Sequence, residues 1–251
     1  SALHQVRSMM FPAQFDPLMA QSTNRPTSSA NCSDYKRRDP RDVLSWRTDK
    51  IILVLDRIRD VGNISSIFRT CDALGVQVIW SILPPHYTGA FSSSTKKIRS
   101  KMRSISRGAD RYLSQRFFQD EHELLKAIRE EGRQIWSTDL GAGAVSLRSG
   151  EQVELPQEGI ALVMGEETAG VSQAILDASS KRVFIPTFGF VQSLNVAVAT
   201  ALVLQALLWQ VKVEHRGIGS AALRESVERD WKEWLEETEG AEQRQEEAIC
   251  E

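Results

Sequence analysis

Ile51-Ile52-Leu53-Val54-Leu55 is an unbroken apolar run of strand length, and the reading of the fold turns on it. A half-buried strand alternates apolar with polar residues, whereas a continuous run suits a strand covered on both faces of a parallel sheet. Directly after it, Ile64, Ile67, Phe68, Cys71 and Leu74 recur at helical spacing, and Gly75 follows where a helix C-terminus favours glycine. The run from Val76 to Ile82 predicts the next strand and completes a strand–helix–strand unit.

The same pattern continues outward. Leu124, Leu125 and Ile128 predict a helix ending at Gly132, Gln134 to Thr138 a strand, Ile160 to Met164 another, and Val183 to Ile185 a short strand before Pro186. From Leu194 to Val211 the chain is apolar on nearly every side, which predicts a helix from Ala197 to Val211 buried in a core or a subunit interface. Strands alternating with helices define an α/β class, a parallel sheet flanked by helices. Residues 1–49 carry Pro12, Pro17, Pro26 and Pro40 without a sustained apolar period and are predicted to be a flexible arm. The predicted catalytic domain is 50–212. Beyond it, in 213–251, Leu223, Val227, Trp231, Trp234 and Leu235 mark an amphipathic helix, and an acidic tail follows Gly240.

The 251 residues, 41% hydrophobic and 25% charged, are those of an ordinary globular protein, and a net charge of -2 excludes an all-over basic nucleic-acid binder. Charge is unevenly spread, however. Lys96, Lys97, Arg99, Lys101, Arg103 and Arg107, continued by Arg111 and Arg116, form a dense basic segment, the candidate RNA surface, although such a run is equally the mark of a solvated loop. Cys32, Cys71 and Cys250 have neither metal-ligand nor disulfide spacing, so a reducing compartment and no metal are expected. The most apolar stretch, Ala197 to Leu208, is too short to span a bilayer, so no membrane association is expected.

Asp139-Leu140-Gly141-Ala142-Gly143 follows a strand like the glycine loop of a dinucleotide or adenosylmethionine site in a Rossmann-type domain, but it lacks the third glycine and the helix that must follow, so a surface turn is the preferred reading. Three other segments carry more. They are Asn63-Ile64-Ser65-Ser66-Ile67-Phe68-Arg69-Thr70-Cys71-Asp72-Ala73-Leu74-Gly75, Val163-Met164-Gly165-Glu166-Glu167-Thr168-Ala169-Gly170, and the stretch from Ile185-Pro186 through Phe188-Gly189-Phe190-Val191-Gln192-Ser193-Leu194-Asn195 to Ala199. Together, in order and spacing, they resemble the three motifs of the SpoU branch of the SPOUT RNA methyltransferases, over roughly residues 51 to 212.

That resemblance implies a parallel sheet with a deep C-terminal trefoil knot, S-adenosyl-L-methionine as cofactor, and 2'-O-methylation of a ribose in structured RNA, with a D-loop guanosine of tRNA as first choice. It implies catalytic roles for Arg69, Asn63, Glu167, Ser193 and Asn195, and a cofactor lining of Thr138, Met164, Gly165, Ile185 and Leu194. Glu167 rather than Glu166 matches the family's glutamate, and Glu166 is expected to be exposed. A guanidinium stays protonated at ordinary pH, so Arg69 is assigned to stabilising the developing alkoxide rather than to abstracting a proton. Read without the resemblance, Asn63 is sufficient as a helix cap, as are Ser193 and Asn195, and Arg69 is a solvent-facing helix residue. The resemblance also implies a homodimer in which the arginine of one subunit completes the other's site. The alternatives are a ribosomal RNA or other tRNA ribose as substrate, or an idle RNA-binding module. The expected location is cytoplasmic, or an organelle if the Ser-rich arm, which starts at Ser1, is a truncated transit segment.

Overall fold

The computed structural model describes residues 40–82, 108–147, 153–208 and 217–232. Seven strands form one sheet: β1 (Thr48–Asp56), β2 (Val76–Ile82), β3 (Ser114–Phe118), β4 (Gln134–Thr138), β5 (Val145–Ser146), β6 (Ile160–Met164) and β7 (Lys181–Phe184), in the order β3-β2-β1-β6-β4-β7-β5. Every neighbouring pair is parallel. Six helices are described: α1 (Pro40–Trp46), α2 (Val61–Leu74), α3 (Glu121–Glu130), α4 (Gln173–Ala178), α5 (Val196–Leu208), and α6 at 221–232.

The pleat of β1 explains its composition. Ile51, Leu53 and Leu55 join the core beneath α2 and α5, while Ile52 and Val54 join the core beneath α3 and α4, so an alternating strand would leave one face unfilled. Helix α2 presents Ile64, Ile67, Phe68 and Cys71 to the first core and ends at Gly75 in the left-handed conformation. Burial pushes the Cys71 thiol up, far from its thiolate form.

Four short elements and two boundaries differ from the sequence reading. Strand β3 lies at the end of the basic segment, β5 has two residues and α4 six, too few for a period to register. Strand β7 begins at Lys181 and ends at Phe184, one residue earlier than predicted. The body begins inside the predicted arm: α1 starts at Pro40, Leu44 is buried, and Asp49 belongs to β1. At the other end α6 belongs to the same compact unit, because its Val227 and Trp231 pack with Leu44 and Ile218. Among the described residues no helix is long and apolar enough to cross a membrane.

Candidate active site

Open α/β sheets place ligands beyond the carboxyl ends of their strands, where successive loops diverge. Here the ends of β4, β6 and β7 open on a cavity of about 320 Å³, a volume in the range of small-molecule sites. Thr138, Met164, Gly165, Ile185 and Leu194, the residues that the motif match assigns to a cofactor, all line it. Thr138 contributes a wall more than a donor, because its hydroxyl already donates to the carbonyl of Val163 at 3.0 Å.

The turn after β6 is closed by reciprocal backbone bonds between Glu166 and Gly170, and the amide of Ala169 donates to the Glu166 carboxylate at 3.2 Å. Gly165 makes this possible: a Cβ there would lie 2.2 Å from the carbonyl carbon of Gly170. Glu166 is not the exposed partner expected from sequence. Its side chain is only 18% accessible and faces Arg59 at 3.6 Å, because it serves the turn's own amide. Glu167 projects outward from the same turn.

Asn63 does not cap α2. That place belongs to Asp60, whose carboxylate accepts from the backbone amide of Asn63 at 2.7 Å, an N-cap signal present in the sequence three residues earlier. The side chain of Asn63 is therefore free to work across the site. Its Nδ2 donates to Glu167, and its Oδ1 accepts from Asn195 Nδ2 at 3.0 Å. Asn195 does both jobs considered for it, since its Oδ1 also accepts from the amide of Ala197 at 3.0 Å and so caps α5. Residues separated by 104 and 132 positions thus converge in one carboxamide–carboxylate cluster, and the 104-residue partner, Glu167, also lines the cavity. Exposed Ser193 lies on the cavity wall between Leu194 and Gln192.

Arg69 is not part of this cluster. It is exposed and pairs with no described residue. Six residues along a helix correspond to about 9 Å of rise and a rotation that leaves the two side chains about 120° apart, so Arg69 and Asn63 of one chain serve different directions. Lys96, Lys97, Arg99, Lys101, Arg103 and Arg107 lie outside the described residues. Of that segment, Arg111 and Arg116 are described and exposed, Arg116 lying over the rings of Trp80 and Phe118 at 5.2 and 4.8 Å. The motif match did not single out Asp139 and Leu140, which also line the cavity; their turn is on the surface as expected, yet it forms part of the site.

A parallel sheet with a ligand-sized cavity at its carboxyl edge and a polar cluster gathered beside it defines an α/β enzyme. Residues 50–205 match the model of the SpoU rRNA Methylase family, and the chain belongs to that family and to its methylase class of enzyme. It is similar to the tRNA (guanosine(18)-2'-O)-methyltransferase of Aquifex aeolicus, 29% identical over 199 residues, 78% of this chain and 87% of the relative. It is also similar to the 23S rRNA (guanosine(2553)-2'-O)-methyltransferase RlmP of Bacillus subtilis, 30% identical over 64% of this chain and 58% of the relative. Among solved structures, the A. aeolicus TrmH/SpoU tRNA modifying enzyme superposes with a TM-score of 0.61 at 26% identity, covering 77% of this chain and 93% of that one.

Proposed function

We propose that this enzyme transfers the methyl group of S-adenosyl-L-methionine to the 2'-oxygen of a ribose in structured RNA, and that the ribose is that of the D-loop guanosine of tRNA. The observation that carries the reading is the Asn63–Glu167–Asn195 cluster on the rim of the cavity. The cavity fits an adenosyl group: Met164, Val183, Ile185 and Leu194 offer apolar walls for the faces of a base, while the glycine-bounded turn brings backbone close to its edge. Bound there, the cofactor supplies an electrophilic methyl carbon.

The chain's own residues do the rest. Leu194 and Ile185 hold the adenine, and Gly165 admits it against the backbone. Asn63, locked by Glu167 and Asn195, and Ser193 on the cavity wall orient the target ribose so that its 2'-oxygen stands in line with the methyl. Arg69 stabilises the negative charge that develops on that oxygen as the hydroxyl proton passes to solvent. The separation of Arg69 from the cluster of its own chain supports a site shared in a homodimer. The face of α5 supports this, since Val198 and Leu202 are 49% and 43% exposed on the helix whose first residue adjoins Asn195. The insertion of β7 between β4 and β5 is the strand order on which the trefoil knot is proposed. Lys96, Lys97, Arg99, Lys101, Arg103 and Arg107 are proposed phosphate contacts. The enzyme then works where its RNA is, in the cytoplasm or an RNA-containing organelle.

The second reading keeps the chemistry and moves the substrate to ribosomal RNA, and it is favoured by the named substrate of the B. subtilis relative. Transfer of labelled methyl to unmodified tRNA and ribosomal RNA transcripts, with wild type and Arg69→Ala side by side, decides between them. Label mapping to a 2'-O-methylated D-loop guanosine is the expected result; label in ribosomal RNA alone moves the substrate; no label in any RNA, with no cofactor bound, overturns the reading. Mixing Arg69→Ala subunits with subunits impaired in cofactor binding at Leu194 is expected to recover activity, and no recovery would exclude the shared site.

A further inference from the structure

The turn Asp139–Gly143 has no part in the chemistry described above, yet its first residue, Asp139, lines the cavity. Asp139 follows β4 directly, its backbone amide donating to the carbonyl of Val183 on β7 at 3.1 Å, so the strand end fixes where its side chain starts. Its Oδ2 accepts from Arg182 Nη1 at 3.2 Å, while Oδ1 accepts from no described residue. Gly141 keeps room for the carboxylate, because a Cβ there would come within 2.7 Å of Asp139 Oδ2. The group is only 25% accessible. A carboxylate held by one oxygen and open at the other, on a residue that lines a mainly apolar cavity, is matched to a ligand with hydroxyl donors, and an adenosyl group carries two on its ribose. Carboxylates just beyond strand ends accept such hydroxyls in other open α/β sheets.

Resting on the cofactor assignment above, we propose that Asp139 accepts a hydrogen bond from the ribose hydroxyls of the adenosyl cofactor and that Arg182 is its positioning residue. Adenine recognition then falls to the apolar walls and sugar recognition to the glycine turn. Removing a hydrogen bond to a charged group costs about tenfold or more in affinity.

Calorimetric binding of S-adenosylhomocysteine and of its 2'-deoxy and 3'-deoxy analogues, without RNA, tests this. Wild type is expected to bind at least one deoxy analogue about tenfold more weakly than the parent. Asp139→Ala is expected to bind the parent that much more weakly and to treat the analogues alike. Arg182→Leu is expected to reduce the discrimination in part while leaving the thermal melt near that of wild type, and Asp139→Asn, equal in size, guards against a folding artefact. Tight binding of the parent by Asp139→Ala, or full discrimination retained by it, overturns the sugar contact and leaves the cofactor assignment standing. Failure of wild type to bind the parent overturns both.

Discussion

Two polar networks sit at opposite ends of the same sheet, and they differ in burial. At the amino edge, Arg47 is 2% exposed, paired with Asp72 and stacked 5.4 Å from the ring of Trp231, while Asp49 accepts from the amides of Gly219 and Ser220 at 3.1 and 3.2 Å. At the carboxyl edge, Asn63, Glu167 and Asn195 are bonded in the open and Arg69 stands apart from them. A buried cation must be paired to be tolerated at all, so the first network is explained by stability alone. Two carboxamides and a carboxylate, half-buried or exposed and gathered from three distant segments, add little to stability, so the second calls for a functional cause.

Mutations at the two ends should therefore separate activity from stability. Arg69→Ala is expected to lower methyl transfer by about 100- to 1000-fold, the effect of losing one charge-stabilising donor, with an unchanged thermal melt; a melt lowered by several degrees would place Arg69 in the structural class. Arg47→Ala should show the reverse, with about 2–3 kcal/mol lost in urea unfolding through the buried pair and the packing under Trp231, and S-adenosylhomocysteine affinity retained. Asp49→Ala removes the carboxylate that holds the amides of Gly219 and Ser220 ahead of α6, whose own cap is Ser220, and is expected to cost about 1 kcal/mol in the same unfolding measurement.

The smallest effect tests whether the carboxyl edge also carries a purely structural pair. Glu121 is held below the usual carboxylate range, first by a hydrogen bond from its own backbone amide and then by Arg57. A depressed folded value means that its contribution is complete above the ordinary 4.5 and is lost as pH falls through the lower folded value. Stability profiles of wild type and Glu121→Gln should thus differ at neutral pH and converge in acid, with methyl transfer at neutral pH alike in both.

The sequence made legible whatever rests on long apolar runs. Strands β1, β2, β4 and β6 and helices α2 and α5 follow from residues that must be covered, and each was placed to within a few residues. Strand β3 was hidden because Arg116 and the exposed Phe117 look like a basic loop until Trp80 is seen beneath the guanidinium. Helix α1 was hidden behind Pro40, a residue that reads as loop yet is compatible with a first helical turn. Of the site, the motif residues that line the cavity were legible, whereas the local bonding of Asn63 and Glu166 was not, because capping is decided by backbone geometry that Asp60 and the turn amides resolve differently from the residue count. Asp139 was announced only by an incomplete glycine loop after a strand, which lacks the third glycine and the following helix and so reads as a surface turn.

The meeting of the two ends of this body has a consequence for its synthesis. Gly217 donates to the carbonyl of Arg47 at 2.6 Å and bridges to Thr48, so the strand at the centre of the fold is completed by residues about 170 positions later in the chain. At roughly 5–20 residues per second, a ribosome takes about ten to thirty seconds to deliver that closing segment. Throughout that interval Arg47 and the apolar flank of Leu44 wait without Trp231 and Ile218, and the nascent chain is open at the edge of the sheet that the finished enzyme seals.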